Sequence, residues 1–222
     1  MKVMPWDDLD FELEPDTHRY TYKGSEVPAS TRILELARKP LDGIPRQALA
    51  LATERGNSCH TAVELHVRDD LDHETLTREI KVRLDSWKFF EDDYKVTPMK
   101  ILEIPRMYQH KMKDGLLLEV PLIHPVFMYG VTPDLGLAIV NGAISTVEVK
   151  ATSTNNDATA LQLASQVKAI EHWFNIKVEE RYGVRLVPNK RPDVMRYTDK
   201  ADWATFLSFM NVSNWRKVHK IG

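Results

Sequence analysis

Residues 116–150, LLLEVPLIHPVFMYGVTPDLGLAIVNGAISTVEVK, decide how this chain is read. Three strand-like runs lie in the stretch: residues 116–123, a run starting near Asp134 that continues through 137–140, and residues 143–150. Asn141-Gly142 stands between the second and third and is the strongest short hairpin signal a sequence offers. The alternation of TVEVK sets Val147 and Val149 on one face of a strand and Glu148 and Lys150 on the other. A hairpin folding at Asn141-Gly142 brings positions 134 and 148 back side by side. Two carboxylates and a lysine then converge at one end of a sheet.

That convergence suits metal-assisted hydrolysis. Mg²⁺ prefers oxygen ligands, often one or two carboxylates with water and substrate phosphate. A bound metal lowers the pKa of water and stabilises charge at a phosphoryl centre, and a lysine alongside can position or deprotonate that water. An arbitrary E-x-K in a strand is more often a solvated polar face. Pro133-Asp134 at hairpin distance sets this one apart.

Working outward, composition bounds the chain. Its 222 residues, 43% hydrophobic and 28% charged, predict one globular domain with a sizeable core. The formal net charge of −2 is uneven. Residues 1–30 carry seven acids against three bases, and residues 181–222 carry nine Lys/Arg against three aspartates. Nucleic-acid binding therefore needs a local patch, and the basic C-terminal region suits one as well as it suits an ordinary solvated surface. One cysteine, Cys59, excludes an internal disulfide, a Cys-built zinc site and a four-cysteine iron–sulfur cluster, and fits a reducing cytoplasm. The acidic N-terminus predicts no signal peptide, and no run approaches the ~18 apolar residues of a membrane span.

Upstream, HRYTYKGSEVPAS alternates like a small hairpin turning at Lys23-Gly24. Ser30 or Thr31 is expected to cap a short helix over 32–38, stopped by Pro40, with a loop over 41–45. Residues 46–70 read as a helix interrupted by Gly56, a glycine that could allow another backbone close; His60 and Glu64 share one of its faces. A charged helix over 72–95 starts near Thr75 or Thr77 and turns Ile80, Leu84, Trp87, Phe90 and Tyr94 inward. A strand is expected within 96–112, with a turn at 113–115. Downstream, the polar loop ATSTNNDA leads to a helix capped by Asp157 or Thr159 and running to about 176. Gln162 and Gln166 sit one turn apart on it, where glutamine reads as exposed filler unless it orients a lysine or touches DNA. A strand over 181–187, a basic turn, a short strand over 195–198 and a last helix over 201–212, capped by Thr198 or Asp199, complete the chain. No repeat or low-complexity segment is present.

In this order the pieces resemble the PD-(D/E)XK nuclease superfamily, in its RecB-like exonuclease branch. HRYTYKGSEVPASTRIL is similar to the opening of many phage-encoded members. ERGNSCHTAVELH is similar to their metal-binding helix motif, EVPLIHPVFMYGVTPDLGL to the strand leading into the motif aspartate, and STVEVKAT to the E-x-K element. ALQLASQVKAIE resembles the Q-x-x-x-Y helix, YGVRLVPN the next strand, and YTDKADWATFL the usual C-terminal helix. Each motif alone is weak; the shared order carries the resemblance.

The resemblance implies an α/β fold, a central mixed sheet flanked by helices, with an N-terminal hairpin and helix extension over 1–45, a catalytic core over 46–198 and a C-terminal helix and basic tail over 199–222, all in one domain. It implies a Mg²⁺- or Mn²⁺-dependent exonuclease of phage or prophage DNA recombination, replication or repair. A sequence- or structure-specific endonuclease, or a non-catalytic DNA-binding or assembly module, are the alternatives. By resemblance Asp134 and Glu148 are metal-binding carboxylates, the Val149 carbonyl sits at the metal, Lys150 activates water, and Gln162 orients the lysine or contacts DNA. His60 matches the helix histidine that binds metal, and Glu119 an acidic residue that binds metal or its waters. Arg55, Gln162, Gln166, Lys190 and Arg191 are the residues expected to face DNA. The implied partners are DNA and a strand-annealing recombinase or other phage replication protein, in a bacterial cytoplasm and away from membrane. A ring oligomer is compatible and has no readable signature. Two departures stand out. Gln166 occupies the tyrosine position of Q-x-x-x-Y, and the cysteines of cluster-bearing relatives are absent, which implies a fold without an iron–sulfur cluster.

Overall fold

The asparagine–glycine turn organises the core. In the computed structural model, which describes residues 11–14, 19–37, 45–151 and 157–221, Asn141 and Gly142 both take positive φ (50° and 87°). Those angles match a tight hairpin to the right-handed strand twist, and a side chain is easily spared there. The hairpin joins β7 (Leu135–Val140) to β8 (Ala143–Lys150). Val140 pairs with Ala143, and after an irregularity between Leu135 and Ala138 the register reaches Leu135 opposite Val147. β8 then pairs in parallel with β9 (Glu180–Arg185), and β9 antiparallel with β10 (Asp193–Arg196). β4 (Thr97–Pro98) borders β7. The order is β10-β9-β8-β7-β4, a mixed five-stranded sheet.

Helices cover both faces. α2 (Arg46–Val67) and α3 (Arg78–Tyr94) bury Cys59, Ala62, Val63, Leu84, Trp87 and Phe90 against the Val147 and Val149 side. Thr77 caps α3, its hydroxyl accepting the Ile80 N–H. α4 (Asp157–Phe174) connects the parallel pair β8 and β9 and lies on the opposite face; α5 (Asp202–His219) adds Phe206 and Met210 to the core on that side. The expected architecture, α/β with a central mixed sheet flanked by helices, is the one observed.

The N-terminal hairpin also forms. β1 (Phe11–Glu14), β2 (Arg19–Tyr22) and β3 (Ser25–Val27) make an antiparallel sheet that turns at Lys23-Gly24. The sheet attaches to the core beside β6 (Tyr129–Val131), partner of β5 (Leu122–His124). The Gly130 N–H donates to the Pro28 carbonyl, and Gly130 bridges Ala29. Tyr20 lies flat over Gly130 so closely that a Cβ there would collide with its ring.

Several local expectations are corrected. Neither Ser30 nor Thr31 caps a helix: α1 (Ser30–Ile33) opens after Ala29 with no side-chain cap, and Ser30 is buried in its first turn. Thr159 lies inside α4 rather than ahead of it, and α5 starts after Ala201 without a side-chain cap. Among the described residues, nothing beyond Gly56's own stretch of helix lies within 4 Å of where its Cβ would stand, so no close backbone meets it there. The strand expected within 96–112 shrinks to Thr97–Pro98, with the Met99 N–H donating to the Leu137 carbonyl just past it. The run 116–123 is mostly not strand: Leu116 and Leu118 make single bridges to Lys100 and Leu135, and regular pairing begins at Leu122. The basic C-terminal stretch is helical through His219. The expectations for 1–10, His18, the end of the short helix at 38, Pro40, most of the 41–45 loop, the polar loop over 152–156 and the Asp157 cap lie outside what the structure describes. Among the described residues, no helix is long and apolar enough to cross a membrane.

Candidate metal and catalytic site

Asp134 immediately precedes β7, and the hairpin register returns β8 to it. The Val149 N–H donates to Asp134 Oδ2 at 2.6 Å. A strand residue directs its N–H and C=O to the same edge, so the Val149 carbonyl leaves β8 on the Asp134 side. Period-two geometry sends Glu148 and Lys150 to the α4 face, where Lys150 Nζ donates to Glu148 Oε1 at 2.6 Å.

Glu148 is 2% exposed. A carboxylate so deeply buried needs donors, and α4 supplies them one turn apart. Gln162 Nε2 donates to Oε1 and Gln166 Nε2 to Oε2, each at 2.8 Å. Gln162 Oε1, the side-chain amide oxygen, lies 3.4 Å from Lys150 Nζ as its acceptor. Both glutamines are buried, so neither is exposed filler.

On the other side stands His60 of α2. Its Nδ1 lies 3.2 Å from Asp134 Oδ1 and 3.2 Å from Glu119 Oε1. Glu119 sits ahead of β5 with φ 50°. Its N–H donates to the Pro133 carbonyl, and the neighbouring Leu117 carbonyl accepts the Gly136 N–H. His60, Glu119 and Asp134 each offer a ligand atom, all within 4.8 Å of one another.

The electrostatics match that crowding. Burial and then the Asp134 charge push Glu119 up to about 7, against the pull of His60. Burial would also raise Asp134, but the charge and hydrogen bond of His60, the Lys150 charge and the Val149 N–H hold it below the usual carboxylate range. Burial and the Asp134 charge raise Glu148, opposed by Lys150 and Gln166. Burial alone would lower His60; the Asp134 charge and the bonds to Asp134 and Glu119 carry it well above its ordinary value. Three acids meeting within one partly buried cluster strain against each other, and a cation relieves that repulsion. The donor set, two carboxylates and one imidazole with a strand carbonyl nearby, fits a hard divalent cation, and the imidazole suits Mn²⁺ as well as Mg²⁺.

His60, Glu119, Asp134, Glu148, Lys150 and Gln162 all line one cleft of about 560 Å³, whose far wall includes Tyr20 and Thr132, joined hydroxyl to hydroxyl at 2.6 Å. The remaining expected residues lie elsewhere. Gln166 is beneath the cleft, on Glu148. Arg55 pairs with Glu79 of α3. Arg191 pairs with Asp93 and stands 5.3 Å over the Phe89 ring, beside the exposed Lys190 in the turn between β9 and β10. None of those four lines the cleft. Sequence reasoning missed that Glu148 is the common acceptor of both glutamines. The signal for it was there: two amides four apart on a helix whose inner face is otherwise apolar or small hydroxyl residues.

No family model matches this chain, and no curated protein matches it. Among solved structures it is similar to the chain described as "Crystal structure of SSO0001", at 15% identity over 82% of this chain and 81% of that one, with a TM-score of 0.29. A likeness at that score carries no argument about fold or function.

Proposed function

We propose that this chain is a Mg²⁺- or Mn²⁺-dependent deoxyribonuclease of PD-(D/E)XK type, acting as an exonuclease. The observation that carries the reading is the meeting of Asp134, Glu148 and Lys150 with His60 and Glu119 in one cleft. A carboxylate–imidazole cluster beside an E-x-K lysine is a donor set for phosphodiester hydrolysis rather than for packing. Asp134, Glu119 and His60, with the Val149 carbonyl, would hold the cation; Glu148, expected as a ligand beside Asp134, lies outside that cluster, its two oxygens accepting from Lys150, Gln162 and Gln166. When bound, the cation supplies charge neutralisation at the phosphate and a lowered pKa for water. Lys150 has the reach to hold the attacking water against the scissile phosphate. Glu148 and Gln162 fix the lysine: Glu148 Oε1 accepts from Lys150 and Gln162, its Oε2 accepts from Gln166, and Gln162 bonds both Lys150 and Glu148. Each group must hold its place to about 0.5 Å to be productive, and this interlocked set is built for that. The biological setting proposed with it is phage or prophage DNA recombination, replication or repair in a bacterial cytoplasm, beside a strand-annealing recombinase.

The test is a gel assay on linear duplex, closed circular duplex, linear single-stranded and circular single-stranded DNA. Each is run with Mg²⁺, Mn²⁺ or EDTA, beside Lys150→Ala. Metal-dependent loss of linear forms only, absent in Lys150→Ala, is the expected result. Cutting of closed circles replaces exonuclease with endonuclease. DNA retardation with no cleavage under any condition overturns the nuclease reading in favour of a binding module.

A further inference from the structure

The C-terminal end of α2 is tied to the segment that leads into the candidate site. His60, Glu64 and Arg68 follow at intervals of four and therefore share one face of the helix. His60 meets Asp134 and Glu119 directly. Arg68, which closes the helix at its C-cap, uses every nitrogen of its guanidinium. Its Nε donates to Glu64 Oε1 at 3.1 Å, Nη1 pairs with Asp114, and Nη2 donates to the Leu118 carbonyl at 3.2 Å. Asp114 in turn accepts the Leu116 N–H at 3.0 Å. Arg68 thus grips residues 114–118 at both ends, and the next residue is Glu119.

That grip answers a need. Glu119 takes φ 50°, where a non-glycine backbone is costly and persists only if its surroundings over-determine it. The segment before it forms no regular strand, only single bridges. On one side the N–H of Glu119 and the carbonyl of Leu117 tie it to residues 133–136; on the other, Arg68 ties it to the helix that carries His60. We propose that Arg68 is a positioning residue of the candidate cation site, setting Glu119 at its distance from His60 through the segment 114–118. The inference rests on the reading of His60, Glu119 and Asp134 as cation ligands. A three-pronged fork is what the geometry uses, so lysine cannot replace it.

The experiment is calorimetric titration of the metal-free protein with Mn²⁺, which needs no turnover. Arg68→Lys keeps the charge and loses the fork, and is expected to weaken Mn²⁺ binding by about 10–100-fold, the usual cost of removing a group that orients a ligand. Glu119→Gln weakens binding by itself, and adding Arg68→Lys to it is expected to change nothing further, because Arg68 acts through Glu119. Thermal unfolding of each metal-free variant reports the fold. Should Arg68→Lys fail to fold, Asp114→Asn tests the same clamp from the loop side, with a smaller loss that again vanishes in the Glu119→Gln background. Wild-type affinity in folded Arg68→Lys, or an equal loss in both backgrounds, overturns the inference. A wild type that binds no Mn²⁺ overturns the cation site and this inference together. Mn²⁺ binding that depends on Arg68 without any DNA cleavage leaves the positioning role standing and removes the nuclease.

Discussion

Gln166 Nε2 donates to Glu148 Oε2 at 2.8 Å, and both side chains are almost wholly buried. The bond joins α4 to β8 and supplies a donor to Oε2, while Lys150 and Gln162 donate to Oε1. Gln166→Leu keeps the volume and removes the donor, leaving Oε2 without one among the described residues. The expected cost is about 1–3 kcal/mol of stability, the penalty for a buried acceptor left unmade. Urea unfolding measures it, and a loss below ~0.5 kcal/mol would show that Glu148 does not depend on this amide.

Asp134→Asn separates charge from shape. The amide oxygen still accepts the Val149 N–H, so the hairpin register survives. The charge that raises His60 and Glu119 is gone. Mn²⁺ affinity should fall further than the about 10–100-fold typical of changes one layer out, with the circular dichroism spectrum unchanged. Titration of the variant beside wild type checks both.

These two residues mark where the sequence was legible. The hairpin at Asn141-Gly142 and the facing of Glu148 and Lys150 depend on local φ preference and a two-residue period, both written in the letters. Asp134 against Val149 follows from them by counting. Glu119 does not. Its place depends on a positive φ and on carbonyls 133 and 134, and no local pattern announces a strand that breaks there. The run 116–123 reads as strand because it is apolar, yet it is apolar for burial against two clusters rather than for pairing. Gln166 looked like a neutral helix residue because its partner lies eighteen positions earlier, on another element. Arg55 and Arg191 read as facing DNA because the sequence does not show that Glu79 and Asp93 stand beside them.

Acid should weaken the fold through His124. Its ring is packed among Phe127, Tyr129, His172 and Trp203. Burial first, then the neighbouring His172, hold it down to about 4. The Phe127 N–H also points at Nδ1, which then carries a lone pair rather than a proton. An unfolded histidine takes up its proton near 6.5. Between about 6.5 and 4 the unfolded chain binds a proton that the folded chain refuses, so this contribution is complete above 6.5 and is lost as pH falls through the window. The slope is at most about 1.4 kcal/mol per pH unit. His124→Phe should flatten that limb in urea midpoints measured from pH 7 to 4; an unchanged slope would assign the acid sensitivity to other groups.

The attachment of the N-terminal sheet turns on Gly130. The Tyr20 ring lies against its Cα, Tyr20 Oη bonds Thr132 Oγ1 at 2.6 Å, and both residues border the cleft. Gly130→Ala inserts a methyl against the ring carbons of Tyr20, whose side chain is buried in the core with Val27 and Tyr129. Overpacking of this kind costs about 1–3 kcal/mol. Truncating the ring alone, Tyr20→Ala, costs about 3–5 kcal/mol by analogy with other buried aromatics. Together the two changes should cost less than their sum by at least about 1 kcal/mol, because the new methyl then faces the space the ring has left. Tyr20→Phe offers no such relief, since it removes the hydroxyl and leaves the ring in place. Urea unfolding of the four proteins of the cycle decides it. Strict additivity would mean that the ring moves aside freely, and that the sheet is held to β6 by the Pro28–Gly130 backbone bond rather than by this contact.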